Sequence, residues 1–484
     1  MIIAMDIGTT SAKAALFERD GSCFALERVE LPSPVGRSPM EQEIAPETWL
    51  SATRSLLASL AAHNGYSLSN VECVVVSGHG PTIVPVGNRG EILHNAISWM
   101  DRRAADQAER AQGILGRYLD PAYNLPKILW IRENLPEIYS KTRWFASCPE
   151  FVVAHLCGRW VSFLPADGYE EIIWDDATLD LLGLDKDKFP PFAKIGTIVG
   201  GVSDEAAEST GLKKGTAIVS GGPDFIVSLI GTATTSPHRA CDRSGTSEGI
   251  NLCWNGTITR DPRLLYMPHV VAPYINISGV ISTTGRAIRW CMDTIGGGAM
   301  NLEDFYRLVS SASVGADSLL FLPYLSGERA PLWNPKARGA FVGLSLRHGT
   351  REMARAVAES TGFAMRDVIT VMESSGARVD DLRVTGQPSG NPVLNQIKAD
   401  ITGKPILSPS FREAELLGDL CLALVALSEF ATIAEVAEEK VRFGEIFEPN
   451  PATQGIYEDL FHVYRESYKA LEPSFSTLAE MTGY

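Results

Sequence analysis

Met1-Ile2-Ile3-Ala4-Met5-Asp6-Ile7-Gly8-Thr9-Thr10 is the stretch that decides the fold. Its apolar run predicts a buried strand that delivers one carboxylate, Asp6, and turns at once through Gly8 into the hydroxyls of Thr9 and Thr10. Gly8 permits the positive φ or the close approach that a tight turn needs. Residues 12–17 resume as a second strand, and 23–31 can form a third. The turn's amides and the hydroxyls of Thr9, Thr10 and Ser11 can hold phosphate oxygens. Asp6 suits Mg2+, directly or through water, because that ion prefers carboxylate, water and phosphate oxygen. An Asp-Gly hairpin with its hydroxyls in solvent is the competing reading. A second copy further along the chain favours the phosphate turn.

That copy is Arg243-Ser244-Gly245-Thr246-Ser247, followed by Gly249-Ile250-Asn251-Leu252, again a turn of glycine and hydroxyls between strands. Leu382-Arg383-Val384-Thr385-Gly386 likewise mirrors Val74-Val75-Val76-Ser77-Gly78. Two matches in the same order predict duplicated halves, each a hairpin start followed by strand–helix units. Strand–glycine junctions are common in any α/β protein, which is the plainer account of the same residues. Residues 45–62 have helical spacing at Trp49, Ala52, Leu56 and Leu60, and 71–77 is a short apolar strand. Residues 216–220 form another strand, running into Gly221-Gly222-Pro223-Asp224. The expected division is 1–240 and 241–484.

A length of 484 residues suggests two domains of about equal size. Hydrophobic content of 45% and charged content of 21% are those of a globular protein. The net charge of −15 argues against nucleic acid as a partner. It does not exclude a nucleotide, because local amides and a metal outweigh a diffuse acidic surface. Eight cysteines without a C-x-x-C pair fit reduced core thiols better than disulfides or zinc. No stretch has the length of a membrane span, and no basic segment leads into a long apolar run, so the expected location is the cytoplasm, without a membrane partner.

Three further segments make the reading specific. Gly339-Ala340-Phe341-Val342-Gly343-Leu344, with Glu352-Met353-Ala354-Arg355-Ala356-Val357-Ala358-Glu359 after it, resembles the C-terminal signature of the FGGY family of carbohydrate kinases. Ala358 stands where a larger apolar residue is usual. Tyr324-Leu325-Ser326-Gly327-Glu328-Arg329-Ala330-Pro331 resembles the loop before that signature, and Lys127-Ile128-Leu129-Trp130-Ile131-Arg132-Glu133-Asn134 the N-terminal one. Asn124 departs from it, since Ser, Thr or Pro is typical there. Together with Gln396-Ile397-Lys398-Ala399-Asp400, the resemblance runs from residue 1 to about 430. The length is nearer that of xylulokinases than of the longer ribulokinases. The resemblance implies an α/β fold of two ribonuclease-H-like (actin/Hsp70-type ATPase) domains with an interdomain cleft, sugar on the N-terminal domain and ATP on the C-terminal one.

The chemistry this resemblance implies is Mg2+-assisted in-line transfer of a phosphoryl group from ATP to a sugar hydroxyl. Asp224 would be the general base and touch the sugar, with capping of the helix that follows as its alternative role. Asp6 would organise Mg2+, and Gly8, Thr9 and Thr10 would face the transferred phosphate. Lys13 would reach a phosphate oxygen or stand solvated. Gly245, Thr246, Gly285, Gly386 and Asn391 would bind ATP. Gln387 and Pro388 replace glycines usual in the adenosine loop, which puts nucleotide preference in doubt. Glu413-Ala414-Glu415-Leu416-Leu417-Gly418 resembles the helix start that follows, as packing rather than contact.

Trp99-Met100-Asp101 resembles the family's sugar-pocket segment, with Trp99 and Asp101 as substrate contacts. Upstream, Ser77-Gly78-His79-Gly80-Pro81-Thr82 matches neither the xylulokinase nor the glycerol kinase pattern. His79 is the remaining imidazole, either a sugar contact or a satisfied loop residue. Glycerol is therefore disfavoured, and D-xylulose is the first substrate to try, with other ketoses and polyols as alternatives. An actin- or Hsp70-like ATPase and a catalytically impaired sugar sensor are the competing functions. The assembly state, a homodimer included, is left open.

Overall fold

The computed structural model describes residues 1–38, 40–63 and 67–482. The chain forms two compact units. The first comprises Met1–Gly231, Pro268–Ala272 and Ala414–Lys440; the second comprises Thr232–Met267, Pro273–Glu413 and Val441–Tyr484.

In the first unit β1 (Ile2–Ile7) pairs antiparallel with β2 (Ser11–Phe17), and β2 pairs antiparallel with β3 (Cys23–Glu30). On its other side β1 runs parallel to β4 (Cys73–Gly78). Beyond it lie β6 (Ala217–Pro223), parallel to β4, and the antiparallel edge strand β5 (Ile198–Gly201). All six residues of β1 and of β4 are buried, so their sequences read as continuous apolar runs rather than alternations. Helix α1 (Glu47–Ala61) buries Trp49, Leu56, Leu57 and Leu60 along one stripe, with Glu47 in its first turn. Helix α2 (Asn124–Asn134) carries the N-terminal signature, and α3 (Cys148–Cys157) starts from a Ser147/Glu150 capping box. Helix α4 (Asp224–Gly231) begins directly at the end of β6.

The second unit repeats this sheet. Strand β7 (Arg239–Ser244) pairs antiparallel with β8 (Glu248–Trp254), and β8 with β10 (Ile275–Ile281), outside which lies β9 (Leu265–Pro268). On the other side β7 runs parallel to β11 (Asp381–Thr385), then come β12 (Ile406–Pro409), parallel, and β13 (Phe443–Phe447), antiparallel. Each sheet thus has a three-strand meander beside two parallel strands and an antiparallel edge. This is the ribonuclease-H-like order, twice, with β1 and β7 at equivalent places. Helix α5 (Gly285–Thr294) follows β10, and α6 (Leu302–Ser311) follows α5. The signature helix α7 (Thr350–Ser374) is buried along most of its length. Val357, Ala358 and Phe363 join a cluster with Phe305 and Phe321, while Met365, Val368 and Met372 join another with Ile250, Ile277 and Val384. Helix α8 (Pro392–Thr402) starts from Asn391, and α11 (Pro451–Thr482) ends the described chain.

Helices α9 (Ala414–Ala426) and α10 (Ile433–Lys440) come late in sequence yet belong to the first unit. A division at residue 240 does not contain this crossing. It depends on two glycines: a Cβ on Gly231 would lie 1.8 Å from Ala414 O, and one on Gly418 would lie 2.1 Å from Val227 O. Only bare backbones can approach so closely, so α9 braces α4. Among the described residues no helix is long and apolar enough to cross a membrane.

Candidate active site

Strand β1 ends at Asp6 and Ile7, and the Gly8 N–H donates to Ser11 O at 3.0 Å to close the turn. A Cβ on Gly8 would sit 2.8 Å from that same oxygen, so close approach, the second of the two reasons read from sequence, requires the glycine. Asp6 is 4% exposed. It stands opposite Lys13 on β2 and Ser77 on β4. Ser77 Oγ lies 3.5 Å from Asp6 Oδ1 and donates to Asp419 Oδ2 at 2.7 Å. Burial drives the Asp419 carboxyl well above the carboxylate range; the Ser77 hydrogen bond opposes this and nearby Asp6 adds to it.

Thr9 and Trp99, expected on phosphate and sugar respectively, are joined: Trp99 Nε1 donates to Thr9 Oγ1 at 2.9 Å. Thr10 is exposed, and its carbonyl accepts from Leu31 N. Asp101 is fully buried. Its carboxylate accepts from Gln42 N at 2.6 Å, from Arg103 N at 2.9 Å and from Arg103 Nε at 3.0 Å. A direct sugar contact by Asp101 would require release of these partners. As placed, it shapes the Trp99–Arg103 segment from behind. His79 is 2% exposed, shares a 2.9 Å hydrogen bond between Nδ1 and Thr82 Oγ1, and packs edge-on against Trp49. Its Nε2 is buried without a partner. Burial pushes the imidazole down to about 4, with Asp224 pulling upward and Lys127 adding to the fall. Lys127 Nζ in turn donates to Pro81 O at 2.9 Å and so holds the loop that carries His79.

Asp224 is half-buried at the first position of α4, where its Oδ1 accepts from Phe225 N at 2.6 Å. This bond orients the carboxylate rather than consuming it, since a carboxylate accepts several bonds. Asp6 and Asp224 stand at the same edge of the first sheet, where Gly78 of β4 pairs with Ile7 on one side and with Pro223 on the other; the buried Cys148 thiol is raised well above its ordinary value by burial first and by these two carboxylates next.

The expected nucleotide residues gather in the second unit. Gly245 N donates to Ser247 O at 2.9 Å across the β7–β8 turn, and Arg286 N donates to Thr246 O at 3.3 Å. A Cβ on Gly285 would lie 2.1 Å from Gly245 O. Gly386 has φ +89°, and a Cβ there would lie 1.9 Å from Ser244 O. Gly285 is therefore in backbone contact with Gly245 and Thr246, and Gly386 with the adjoining Ser244. Asn391 follows Gly386 by five residues, but its Oδ1 caps α8, accepting from Val393 N and Leu394 N at 3.0 and 3.1 Å. Gln387 and Pro388 lie in a short 3-10 turn, Gln387 exposed.

Some residues of these neighbourhoods were not read from sequence. Arg286, Arg289 and Trp290 on α5 line a cavity of about 390 Å3 with Thr283, Leu325 and Ser326. Trp290 stacks on Phe321 at 5.5 Å. Asp419 and Lys398 could have been noticed as charges inside largely apolar helices, although their partners lie more than a hundred residues away. Among the described residues no group of three or more His, Cys, Asp or Glu could hold a metal ion. A lone Asp6 fits Mg2+ only as an ion that keeps waters and substrate phosphates as its other ligands, which is that ion's habit.

The profile of the FGGY family of carbohydrate kinases, N-terminal domain, matches residues 1–231, and that of its C-terminal domain matches residues 244–427. A xylulose kinase of Staphylococcus epidermidis is 27% identical over 496 residues, covering 100% of this chain and 99% of that protein. A gluconokinase of Bacillus subtilis is 25% identical, covering 99% and 98%. The crystal structure of a ligand-bound xylulose kinase from Lactobacillus acidophilus has the same fold, with a TM-score of 0.88 at 24% identity over 99% of both chains. With both domain profiles matched in order on the two repeated units, the chain belongs to the FGGY family of carbohydrate kinases and is a phosphotransferase acting on a sugar.

Proposed function

We propose that this kinase transfers the γ-phosphoryl group of ATP to a hydroxyl of a ketose, with D-xylulose as the first candidate. The observation that carries the reading is the placement of two carboxylates at one edge of the first sheet, Asp6 buried at the end of β1 and Asp224 half-buried at the head of α4, with Gly78 of β4 paired between Ile7 and Pro223. In-line phosphoryl transfer needs one group toward the metal and phosphates and another toward the acceptor hydroxyl. Asp224 takes the proton from that hydroxyl; its bond from Phe225 N and the helix terminus hold it as an oriented base. His79 stays neutral at working pH and does not compete for the proton.

Trp99 offers an indole face to the C–H side of the sugar, and its Nε1 bond to Thr9 ties that face to the phosphate turn. Asp6, with water, would hold Mg2+, which when bound neutralises charge on the β- and γ-phosphates. The amides around Gly8, Thr9 and Thr10 and those around Gly245 and Thr246 would hold phosphate oxygens. Lys13 stands opposite Asp6 and is placed to reach one of them. Gly285 and Gly386 shape the second turn by close approach, and Asn391 acts by setting the head of α8.

The family relatives carry the names of both a pentulose kinase and an aldonate kinase, so the acceptor is the point to test. Coupled ADP release with MgATP over pentuloses, hexuloses, aldonates and alditols should give the highest kcat/KM with D-xylulose. Release with no acceptor above the background rate would refute the kinase mechanism. Stronger turnover of an aldonate or an alditol would refute the choice of D-xylulose alone.

A further inference from the structure

The segment Gln396-Ile397-Lys398-Ala399-Asp400 has no part in the chemistry above. Lys398 lies on α8 and is 1% exposed, yet it carries an ammonium group. Its Nζ donates to Asp242 Oδ2 at 2.7 Å, to Ser244 Oγ at 2.9 Å and to Glu248 Oε1 at 3.1 Å. These are all the hydrogens an ammonium has to give. Ser244 Oγ donates to Asp242 Oδ1 at 2.8 Å, which closes the circuit. All four side chains are buried.

The placement of the partners matters more than their number. Asp242 and Ser244 belong to β7 and Glu248 to β8, and Ser244 pairs with Glu248 at the last register step before the turn at 245–247. One cation therefore grips both strands of the hairpin at the mouth of the turn. The helix that carries this cation follows Gly386, whose Cα approaches the Ser244 carbonyl so closely that no Cβ fits between them. Burial lifts the Glu248 carboxyl above the usual carboxylate range, with Asp242 adding to the rise and Lys398 opposing it.

Stability is a poor reason for such a cluster, because a buried ion pair is commonly no better than packed hydrocarbon of the same volume. A fully satisfied polar network instead fixes geometry, since each member has one place to go. We propose that Lys398 is a positioning residue that sets the Gly245–Thr246 turn against the head of α8 and so tunes binding of the donor's phosphate chain without touching it. This rests on the reading of that turn as the donor-phosphate site.

The deciding variant is the triple replacement Asp242→Asn, Glu248→Gln, Lys398→Met in the full chain, which removes the charges while keeping the shapes. Thermal unfolding reports the fold, and initial rates with ATP or sugar varied report the two KM values separately. The expected result is a folded protein whose KM for ATP rises about tenfold while KM for the sugar stays within about twofold. A purely structural cluster would move both values together or neither. A folded triple variant with the parent's KM for ATP overturns the proposal. If the triple variant does not fold, Ser244→Ala decides: it opens the circuit with one atom, a selective rise in KM for ATP supports the proposal, and parental values overturn it. Thr246→Ala separates the two readings. If it leaves KM for ATP unchanged, the turn is not the donor site and the earlier reading falls; if it raises KM while the triple variant does not, only the role of Lys398 falls.

Discussion

Alanine at Gly386 tests the donor side of this kinase through backbone geometry alone. The native φ is +89°, outside the range that residues with a Cβ adopt freely. Holding such a residue there costs about 1–2 kcal/mol. The new Cβ would also meet Ser244 O at 1.9 Å and its carbonyl carbon at 3.0 Å. The oxygen would have to retreat by about 1 Å before the contact became tolerable, and overpacking of this kind adds about 1–3 kcal/mol. Ser244 cannot move cheaply, because Lys398 holds its hydroxyl and Glu248 pairs with it across the hairpin. The expected loss of stability is therefore about 2–5 kcal/mol. Whatever strain is relieved by moving the turn displaces the expected phosphate site, where a shift of about 1 Å can lower activity by ~10²-fold. Urea unfolding should show a lower midpoint at unchanged slope. Initial rates at saturating sugar should show a lower kcat/KM for ATP. A Gly386→Ala protein with the parent's midpoint and the parent's kcat/KM would refute both the steric argument and the placement of the turn.

Three further outcomes are expected. Asp224→Asn should lower kcat by about 10²–10⁴-fold with little change in nucleotide affinity measured by calorimetry; near-parental kcat in the folded variant removes Asp224 as the base. Asp6→Ala should shift the Mg2+ dependence of turnover to higher concentration, and superimposable titrations would leave Asp6 a turn residue only. His79 is held neutral in the folded state at about 4, below its ordinary 6.5, so the unfolded chain binds more protons in that window and stability falls as pH drops through it. The loss should approach about 3 kcal/mol by pH 4 and be absent from His79→Gln, measured as the difference in urea midpoints at pH 7 and pH 4.5; equal losses in both proteins would contradict a buried neutral imidazole.

Much of this architecture is local in origin and so was legible from residues in order. The run from Ile2 to Ile7, the glycine turn after it and its echo at Ser244–Ser247 fix two hairpins, because strand and turn preferences act over a few residues. The signature segments at residues 127–134 and 339–359 fixed the family, since their order and spacing are properties of sequence itself. What acts across long separations was not legible. The bond from Ser77 to Asp419 spans 342 residues, and the return of α9 to the first unit depends on bare backbone at Gly231 and Gly418. The sequence offered Asp101 as a sugar ligand, but only the tertiary structure shows its oxygens already held by Gln42 and Arg103. Lys398 reads as one charge on a helix until folding removes water and leaves Asp242, Ser244 and Glu248 as its whole environment. Local preference can name a turn or a helix, but the partners of a buried charge are chosen by whichever distant groups share its dry volume.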